Sequence, residues 1–134
     1  MDTILVVDDE PANLDIIGVV LRLEGYDVLE ASSASGAIEI SNCQDRPIQL
    51  LVADLELGAV SGTDVATKIL ESRPDMAVLF MSGTPLNGWR ERDRSVFRSL
   101  KRKAVDFLEK PFVLRPLAEK VCRLIQRSAE MHAV

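Results

Sequence analysis

Four apolar residues lead into an acid in the segment Leu50-Leu51-Val52-Ala53-Asp54-Leu55-Glu56. A short run rich in Leu and Val is typical of a strand that is buried on both faces of a parallel sheet. Open α/β sheets hold their ligands at the carboxyl ends of such strands. Asp54 therefore lies where a ligand is expected, and we predict that it is the centre of a functional site.

Three other apolar runs also end in polar residues. They are Thr3–Val7 before Asp8-Asp9-Glu10, residues 77–81 before Ser82-Gly83, and Val105–Glu109 before Lys110-Pro111. The strands of a parallel sheet point the same way, so their carboxyl ends lie at one edge of the sheet. We therefore expect acids, a hydroxyl group and a lysine to meet beside Asp54.

The segments between these runs show helical spacing or turn residues. Pro11 suits the start of a first helix, and Gly25 follows its end. We expect a second strand at residues 26–31, loops at 58–62 and 84–88, helices ending at Cys43 and before Pro74, a fourth helix from Trp89 to Lys103, a fifth around Val121, and a frayed tail at 128–134. Five strands alternating with five helices predict an α/β three-layer sandwich around a parallel sheet, and leave the strand order open.

The composition is that of a soluble globular protein. The apolar fraction of 47% and the charged fraction of 28% over 134 residues predict one domain, at 1–134. No apolar run approaches the roughly 20 residues of a membrane span, and no export leader precedes the first strand, so we predict a cytoplasmic protein without membrane contact. The net charge of −5 argues against direct nucleic-acid binding. Cys43 and Cys122 match no metal spacing, and we predict two buried, reduced thiols.

Asp8, Asp9 and Asp54 form the acidic part of the expected site. Two like charges ~4 Å apart repel by roughly 4 kcal/mol near a protein surface, so a cation or a proton must neutralise the cluster. Carboxylates without a histidine or thiolate favour a hard ion, of which Mg²⁺ is the abundant choice. A carboxylate beside Mg²⁺ can attack a phosphoryl group, while Lys110 balances its charge and Ser82 donates to one of its oxygens.

The acid pair, Asp54, Ser82 and Lys110-Pro111 follow one another in this order, each at the end of a predicted strand. In this combination the chain, from about residue 4 to residue 125, resembles the receiver domain of two-component response regulators. The resemblance implies a flavodoxin-like (βα)5 sandwich with a five-stranded parallel sheet of order 2-1-3-4-5. It also implies a signalling switch that is not an enzyme, beyond self-catalysed phosphoryl transfer to Asp54 and slow autodephosphorylation.

The resemblance also implies roles for single residues. Asp54 is the implied phosphoacceptor, assisted by Lys110 and Ser82, and Phe107 is the aromatic residue that follows the Ser82 switch. The implied metal ligands are Asp9, Asp54 and the backbone carbonyl of Glu56, with Asp8 acting largely through water. Mg²⁺ is the implied ion, with Mn²⁺ as its substitute. The bond between Lys110 and Pro111 is implied to be cis, an isomer essentially confined to X–Pro bonds.

Four features depart from the usual receiver pattern. Leu57-Gly58 stands where Met-Pro is usual, so we expect a looser loop. Glu56 places a negative side chain beside the site, which is expected to change metal affinity and phosphoryl lifetime. Lys103 stands where a glycine often closes the fourth helix, so that helix end must be built differently or be strained. The segment from the switch hydroxyl to the lysine is several residues longer than usual, so the output geometry is expected to differ.

The implied partners are a phosphoryl donor and a downstream protein. The donor is a histidine kinase or a histidine phosphotransfer protein. The downstream target or dimer partner binds the fourth helix, last strand and fifth helix, from Trp89 to Ile125. The fourth helix carries a crowd of basic residues, which form either a solvated face or a docking surface for an acidic partner: Arg90, Arg92, Arg94, Arg98, Lys101, Arg102 and Lys103.

Two alternative functions stay open at this stage. One is an Mg²⁺-dependent phosphatase with an Asp nucleophile, for which Glu56 is the available general acid. The other is a pseudo-receiver, an interaction module that works without phosphorylation. His132, in the predicted tail, is expected to be inert, so any histidine donor must belong to another molecule.

Overall fold

A computed structural model describes residues 1–110 and 114–132. The strands are β1 (Thr3–Val7), β2 (Asp27–Ala31), β3 (Leu50–Asp54), β4 (Glu56–Leu57), β5 (Val60–Ser61), β6 (Ala77–Ser82) and β7 (Val105–Glu109). The helices are α1 (Pro11–Leu23), α2 (Ala34–Cys43), α3 (Gly62–Ser72), α4 (Glu91–Leu100) and α5 (Leu114–Met131), with a 3₁₀ turn at Leu86–Gly88.

Five of the strands form one parallel sheet in the order β2-β1-β3-β6-β7. Counted within this sheet alone, the order is 2-1-3-4-5, so the flavodoxin-like α/β fold implied by the sequence is confirmed. The central strand β3 pairs Val52 with Val6 of β1 and with Leu79 of β6. The carboxyl ends of β1, β3, β6 and β7 therefore lie side by side at one edge of the sheet.

Alternate residues of each strand pack into two separate cores. On β3, Leu51 and Ala53 face the core that is covered by α2, α3 and α4, whereas Leu50 and Val52 face the core that is covered by α1 and α5. All five residues of β3 are buried. The continuous apolar run in the sequence thus has the physical cause predicted for it, because both faces of the strand are covered by helices.

The segment after β3 is a correction to the sequence prediction. We predicted a loop at residues 58–62, but β4 and β5 form an antiparallel hairpin in which Glu56 pairs with Ser61 and Leu57 with Val60. Gly58 has φ +79°, a backbone conformation that suits the first position of a two-residue turn. Strands of two residues carry no readable periodicity, so the pattern gave no sign of them.

The fourth helix is shorter than predicted. It covers Glu91–Leu100 rather than residues 89–103, and Trp89 precedes it in an extended conformation. The indole N–H of Trp89 donates to the Thr84 carbonyl at 2.9 Å, which holds this residue against the preceding turn. The end of the helix is built without a left-handed residue: the Lys103 N–H donates to the Leu100 carbonyl, and no non-glycine residue among those described has a positive φ.

Two predictions from the sequence are wrong, namely a frayed tail from residue 128 and two buried thiols. The tail is helical as far as Met131, because Ser128 is buried and its hydroxyl donates to the Asp75 carbonyl at 2.8 Å. Cys43, the last residue of α2, and Cys122 on α5 are free but exposed rather than buried. The cis prediction for Pro111 falls outside the described residues. Over the described ranges, no helix combines the length and apolar character needed to cross a membrane.

Candidate functional site

Three acids meet at the carboxyl edge of the sheet. Asp8 directly follows β1 and is fully buried, Asp54 is the last residue of β3 and is 4% exposed, and Asp9 is exposed. Each offers a carboxylate oxygen, and these oxygens all lie within 4.8 Å of one another. The sequence prediction that these side chains converge is thus met by their positions at neighbouring strand ends.

Lys110 joins the two buried acids. Its Nζ lies 2.9 Å from Asp54 Oδ2 and 3.2 Å from Asp8 Oδ2. The backbone of Lys110 is fixed as well, since its N–H donates to the Ser82 carbonyl at 2.7 Å. The lysine is therefore held at the end of β7 with its ammonium group between both carboxylates, where it can balance negative charge.

The protonation behaviour reflects two buried acids that share one ammonium group. Burial raises the pKa of Asp54 above its ordinary value, although the hydrogen bonds from Lys110 and from the Glu56 N–H favour the charged form. Burial would lower the pKa of Lys110, but the contacts with Asp54 and Asp8 outweigh this and raise it. Lys110 is held charged, whereas Asp54 is left with an incompletely compensated negative charge.

The hairpin brings backbone groups close to Asp54. The Glu56 N–H donates to Asp54 Oδ1 at 3.0 Å, while the Glu56 side chain is exposed. Gly62 lies against the backbone of Asp54 so closely that a Cβ there would meet the Asp54 carbonyl oxygen at 2.3 Å. The hairpin thus starts and ends beside Asp54, and glycine is needed where it returns.

Ser82 and Phe107 lie on the neighbouring strands. Ser82 ends β6, is 2% exposed, and its hydroxyl accepts the Thr84 N–H at 3.0 Å. Phe107, on β7, packs edge-on against Trp89 and Phe97 with ring centroids 5.6 and 5.7 Å away. An unbroken set of contacts therefore leads from Ser82 through Thr84 and Trp89 to Phe107, because the Trp89 indole is bonded to the Thr84 carbonyl.

The donor set of the pocket fits a hard divalent cation. Three carboxylates and one ammonium group leave a formal excess of two negative charges. Among the residues that the structure describes, no histidine or cysteine belongs to this cluster, and oxygen donors are what Mg²⁺ prefers.

Residues 4–122 match the family model of the response regulator receiver domain. The chain belongs to this family. The resemblance drawn from the strand-end residues is thereby confirmed. Receiver domains are signalling domains rather than classical enzymes, which ranks the phosphatase alternative behind a signalling role.

Individual relatives and solved structures match nearly the whole chain. The transcriptional regulatory protein YvrH of Bacillus subtilis is 32% identical over 127 residues, which cover 94% of this chain and 50% of YvrH. The chain spans about half the length of the curated relatives it matches. A CheY-like receiver domain protein from Methanospirillum hungatei JF-1 is 26% identical with a TM-score of 0.81 and 98% coverage of both chains. TrrA of Thermotoga maritima, crystallised in complex with Mg²⁺-BeF, is 27% identical with a TM-score of 0.73, over 92% of this chain and 99% of TrrA.

Three of the seven basic residues around α4 form hydrogen bonds with neighbouring groups of the receiver domain. Arg92 pairs with Asp64 of α3, and Arg94 pairs with Glu91 and donates to the Asn87 carbonyl. Lys103 Nζ donates to the Pro74 carbonyl. These contacts support a structural role for much of the charge on α4, beside its contribution to a solvated face.

One buried polar residue of the receiver domain was missed from the sequence. Asp93 on α4 is 7% exposed and accepts hydrogen bonds from Ser61 and Thr63. Its spacing carried the signal: Asp93 precedes the buried Phe97 by four residues, which places both on one face of a helix. An acid on the apolar side of a helix needs partners, and that requirement could have marked it.

Proposed function

We propose that this chain is a phosphorylation switch in which Asp54 accepts a phosphoryl group from a histidine kinase or a histidine phosphotransfer protein. The observation that carries the proposal is the Lys110 ammonium group between the buried carboxylates of Asp8 and Asp54. Phosphoryl transfer requires a carboxylate that can attack phosphorus and a cation that stabilises the charge on the transferring group. Asp54 and Lys110 are these two groups, and they are in contact. Family membership supports the same role.

A divalent cation, Mg²⁺ with Mn²⁺ as its substitute, completes the site in this proposal. Asp9, Asp54 and the backbone carbonyl of Glu56 are the proposed ligands, and Asp8 acts mainly through water. The ion, when bound, neutralises charge on the phosphoryl oxygens. The oxygen-only donor set and its formal excess of two negative charges support this choice.

The chain's own residues then have distinct tasks. The Asp54 carboxylate attacks phosphorus, so that a new oxygen–phosphorus bond forms while the bond from phosphorus to the donor breaks. Lys110 stabilises the charge on the transferring group, and the Glu56 N–H holds the second oxygen of Asp54 in place. Ser82 donates a hydrogen bond from its hydroxyl group to one phosphoryl oxygen, and its side chain turns away from the Thr84 N–H as it does so.

We infer that the output face spans residues 89–125. When Ser82 turns toward the phosphoryl group, the turn before α4 loses the hydrogen bond that the Thr84 N–H donates to the Ser82 hydroxyl oxygen. Trp89 is bonded to that same residue and packs on Phe107, so a shift there changes the packing of both aromatic rings. The partner that binds this face is a downstream protein or a second receiver.

The direct test is chemical phosphorylation. Incubation with acetyl phosphate and Mg²⁺ followed by peptide mass spectrometry is expected to place one phosphoryl group on Asp54 of the wild type. Asp54→Ala is expected to remain unmodified, and chelation of Mg²⁺ is expected to stop the reaction in the wild type. Equal modification of Asp54→Ala would contradict the assignment.

A further inference from the structure

A buried carboxylate on α4 takes no part in the proposed phosphoryl chemistry. Asp93 lies in the first turn of α4, and its Oδ1 accepts hydrogen bonds from Ser61 Oγ at 2.8 Å and from Thr63 Oγ1 at 2.7 Å. Burying a carboxylate is unfavourable unless strong hydrogen bonds compensate for the lost water. The two hydroxyl groups supply that compensation, so this contact is a specific joint between α4 and the start of α3.

The contact between Asp93 and Ser61 is connected to the Asp54 pocket through the β4–β5 hairpin. Ser61 is the last residue of β5 and the N-cap of α3, and it pairs across the hairpin with Glu56 of β4. Glu56 in turn donates its N–H to Asp54. A contact that holds Ser61 in place therefore also limits the movement of Glu56, which lies beside Asp54.

The hairpin has little internal support. Its strands have two residues each, and an isolated short hairpin is at best marginally stable in water. Glycine at position 58 adds backbone freedom at its turn. One side of the hairpin borders a cavity of about 230 Å³ that is lined by Glu56, Ser82 and Asp93, among others. A hairpin of this kind needs a contact from outside to hold its position.

We propose that Asp93 is a positioning residue of the metal site: through Ser61 and Thr63 it holds the hairpin that presents the Glu56 carbonyl. The inference rests on the proposed function, in which that carbonyl is a metal ligand. Asp93 itself contacts neither the ion nor the phosphoryl group. Because coupling between two sites is reciprocal, Mg²⁺ binding also strengthens the contact between the hairpin and α4. The pocket thus has a second connection to the output face, separate from Ser82 and Phe107.

Calorimetric titration of Mg²⁺ into purified variants tests this role. Asp93→Ala removes the accepting oxygen, and we expect its Mg²⁺ affinity to fall about tenfold, the lower range for loss of a supporting residue. Asp93→Asn retains an oxygen that can accept from both hydroxyl groups and is expected to stay close to the wild type. Arg98→Ala is the matched control, because it removes an exposed ion pair of α4 with Glu91 and is expected to leave the affinity unchanged.

A second variant keeps the test valid if Asp93→Ala does not fold. Thr63→Val has nearly the same shape and removes one of the two donors to Asp93, so we expect a smaller loss of affinity. Metal-free amide exchange at residues 56–61 is expected to be faster in Asp93→Ala and Thr63→Val than in the wild type. An affinity equal to the wild type in both variants, or an equal loss in Asp93→Asn and Asp93→Ala, would overturn the inference.

The result for Asp9→Ala, at a proposed direct ligand, distinguishes a failure of this inference from a failure of the proposed function. If the wild type binds no Mg²⁺, or if Asp9→Ala binds it as tightly as the wild type, the proposed metal site fails and the inference fails with it. If Asp9→Ala loses Mg²⁺ affinity while Asp93→Ala and Thr63→Val do not, the metal site stands and the role of Asp93 alone is overturned.

Discussion

Asp54 shares the ammonium group of Lys110 with a second buried acid. Lys110 lies within 3.2 Å of both Asp8 and Asp54, and Asp9 adds a third carboxylate at the rim. Burial raises the pKa of Asp54 despite the Lys110 contact, so the ionised carboxylate is disfavoured without a further cation. The proximity of these residues could be predicted from the sequence, because each follows a strand of one parallel sheet. The balance of their charges could not, since it depends on burial and on which oxygen the lysine reaches.

Replacing Asp54 by asparagine is expected to stabilise the metal-free protein. The folded-state pKa of Asp54 lies above its unfolded value, so the wild type loses stability as the pH rises between these two values. Above that interval the ionised carboxylate is a constant penalty, and we expect Asp54→Asn to have a higher unfolding free energy than the wild type at neutral pH. The gain is expected to vanish as the pH falls below the ordinary carboxyl range. Urea unfolding in the presence of a chelator measures both, and a loss of stability at neutral pH would contradict the charge argument.

Substitutions of Asp9 and Lys110 are expected to have different effects: the first weakens metal binding, and the second slows phosphorylation. Asp9→Ala removes a proposed direct ligand, so Mg²⁺ affinity is expected to fall by about tenfold or more. Lys110→Ala removes no ligand and is expected to bind Mg²⁺ at least as well, while its phosphorylation by acetyl phosphate becomes slower. Calorimetry and a phosphorylation time course on both variants check this. Unchanged Mg²⁺ binding by Asp9→Ala would show that the ion lies elsewhere.

The elements around the pocket differ in how well the sequence predicts them. Strand β3 is buried on both faces, and a short continuous apolar run is the pattern expected for such a strand. The β4–β5 hairpin is too short to show a pattern, and the extension of α5 to Met131 depends on a contact between Ser128 and the Asp75 carbonyl. Such tertiary contacts join residues far apart in the chain. For the same reason the sequence marked Asp93 as helical but did not reveal its partners on the hairpin.

Gly62 is the residue on which the return of the hairpin depends. In Gly62→Ala the new Cβ would lie 2.3 Å from the Asp54 carbonyl oxygen, so the backbone must shift. We expect a loss of about 1–3 kcal/mol in unfolding free energy, as for other overpacked sites, together with weaker Mg²⁺ binding. Gly83→Ala is the control, because a Cβ there meets no atom within 4 Å and the change is expected to stay within about 0.5 kcal/mol. Equal stability of both variants would show that the close approach is unimportant.

Two routes connect the pocket with α4 across the molecule. One leads from Ser82 through the turn at residues 84–88 to the aromatic cluster, in which Trp89, Phe97 and Phe107 have ring centroids 5.5–5.7 Å apart. The other leads through the hairpin to Asp93. A ligand shifts a two-state equilibrium only by its difference in affinity for the two states, so both routes matter only if phosphoryl binding changes their packing.

Amide exchange over the whole chain tests whether the output face responds. With beryllofluoride and Mg²⁺, protection is expected to change at residues 82–100 and on β7 as well as around Asp54. The fluorescence of Trp89, the one tryptophan of the chain, is expected to change in parallel, because its indole is bonded to the turn that follows Ser82. Changes confined to the Asp54 pocket, with residues 89–103 silent, would mean that this receiver does not signal through that face.

Fluorine NMR of beryllofluoride is the most direct measurement of the phosphoryl site, because this anion takes the place of a phosphoryl group when a carboxylate oxygen completes the tetrahedral coordination of beryllium. The wild type with Mg²⁺ is expected to give bound fluorine signals, and these are expected to disappear on chelation of Mg²⁺. Asp54→Ala is expected to give only the signals of the free anion, while Asp93→Asn retains those of the complex. Bound signals of equal intensity in Asp54→Ala would contradict the claim that Asp54 is the phosphoacceptor.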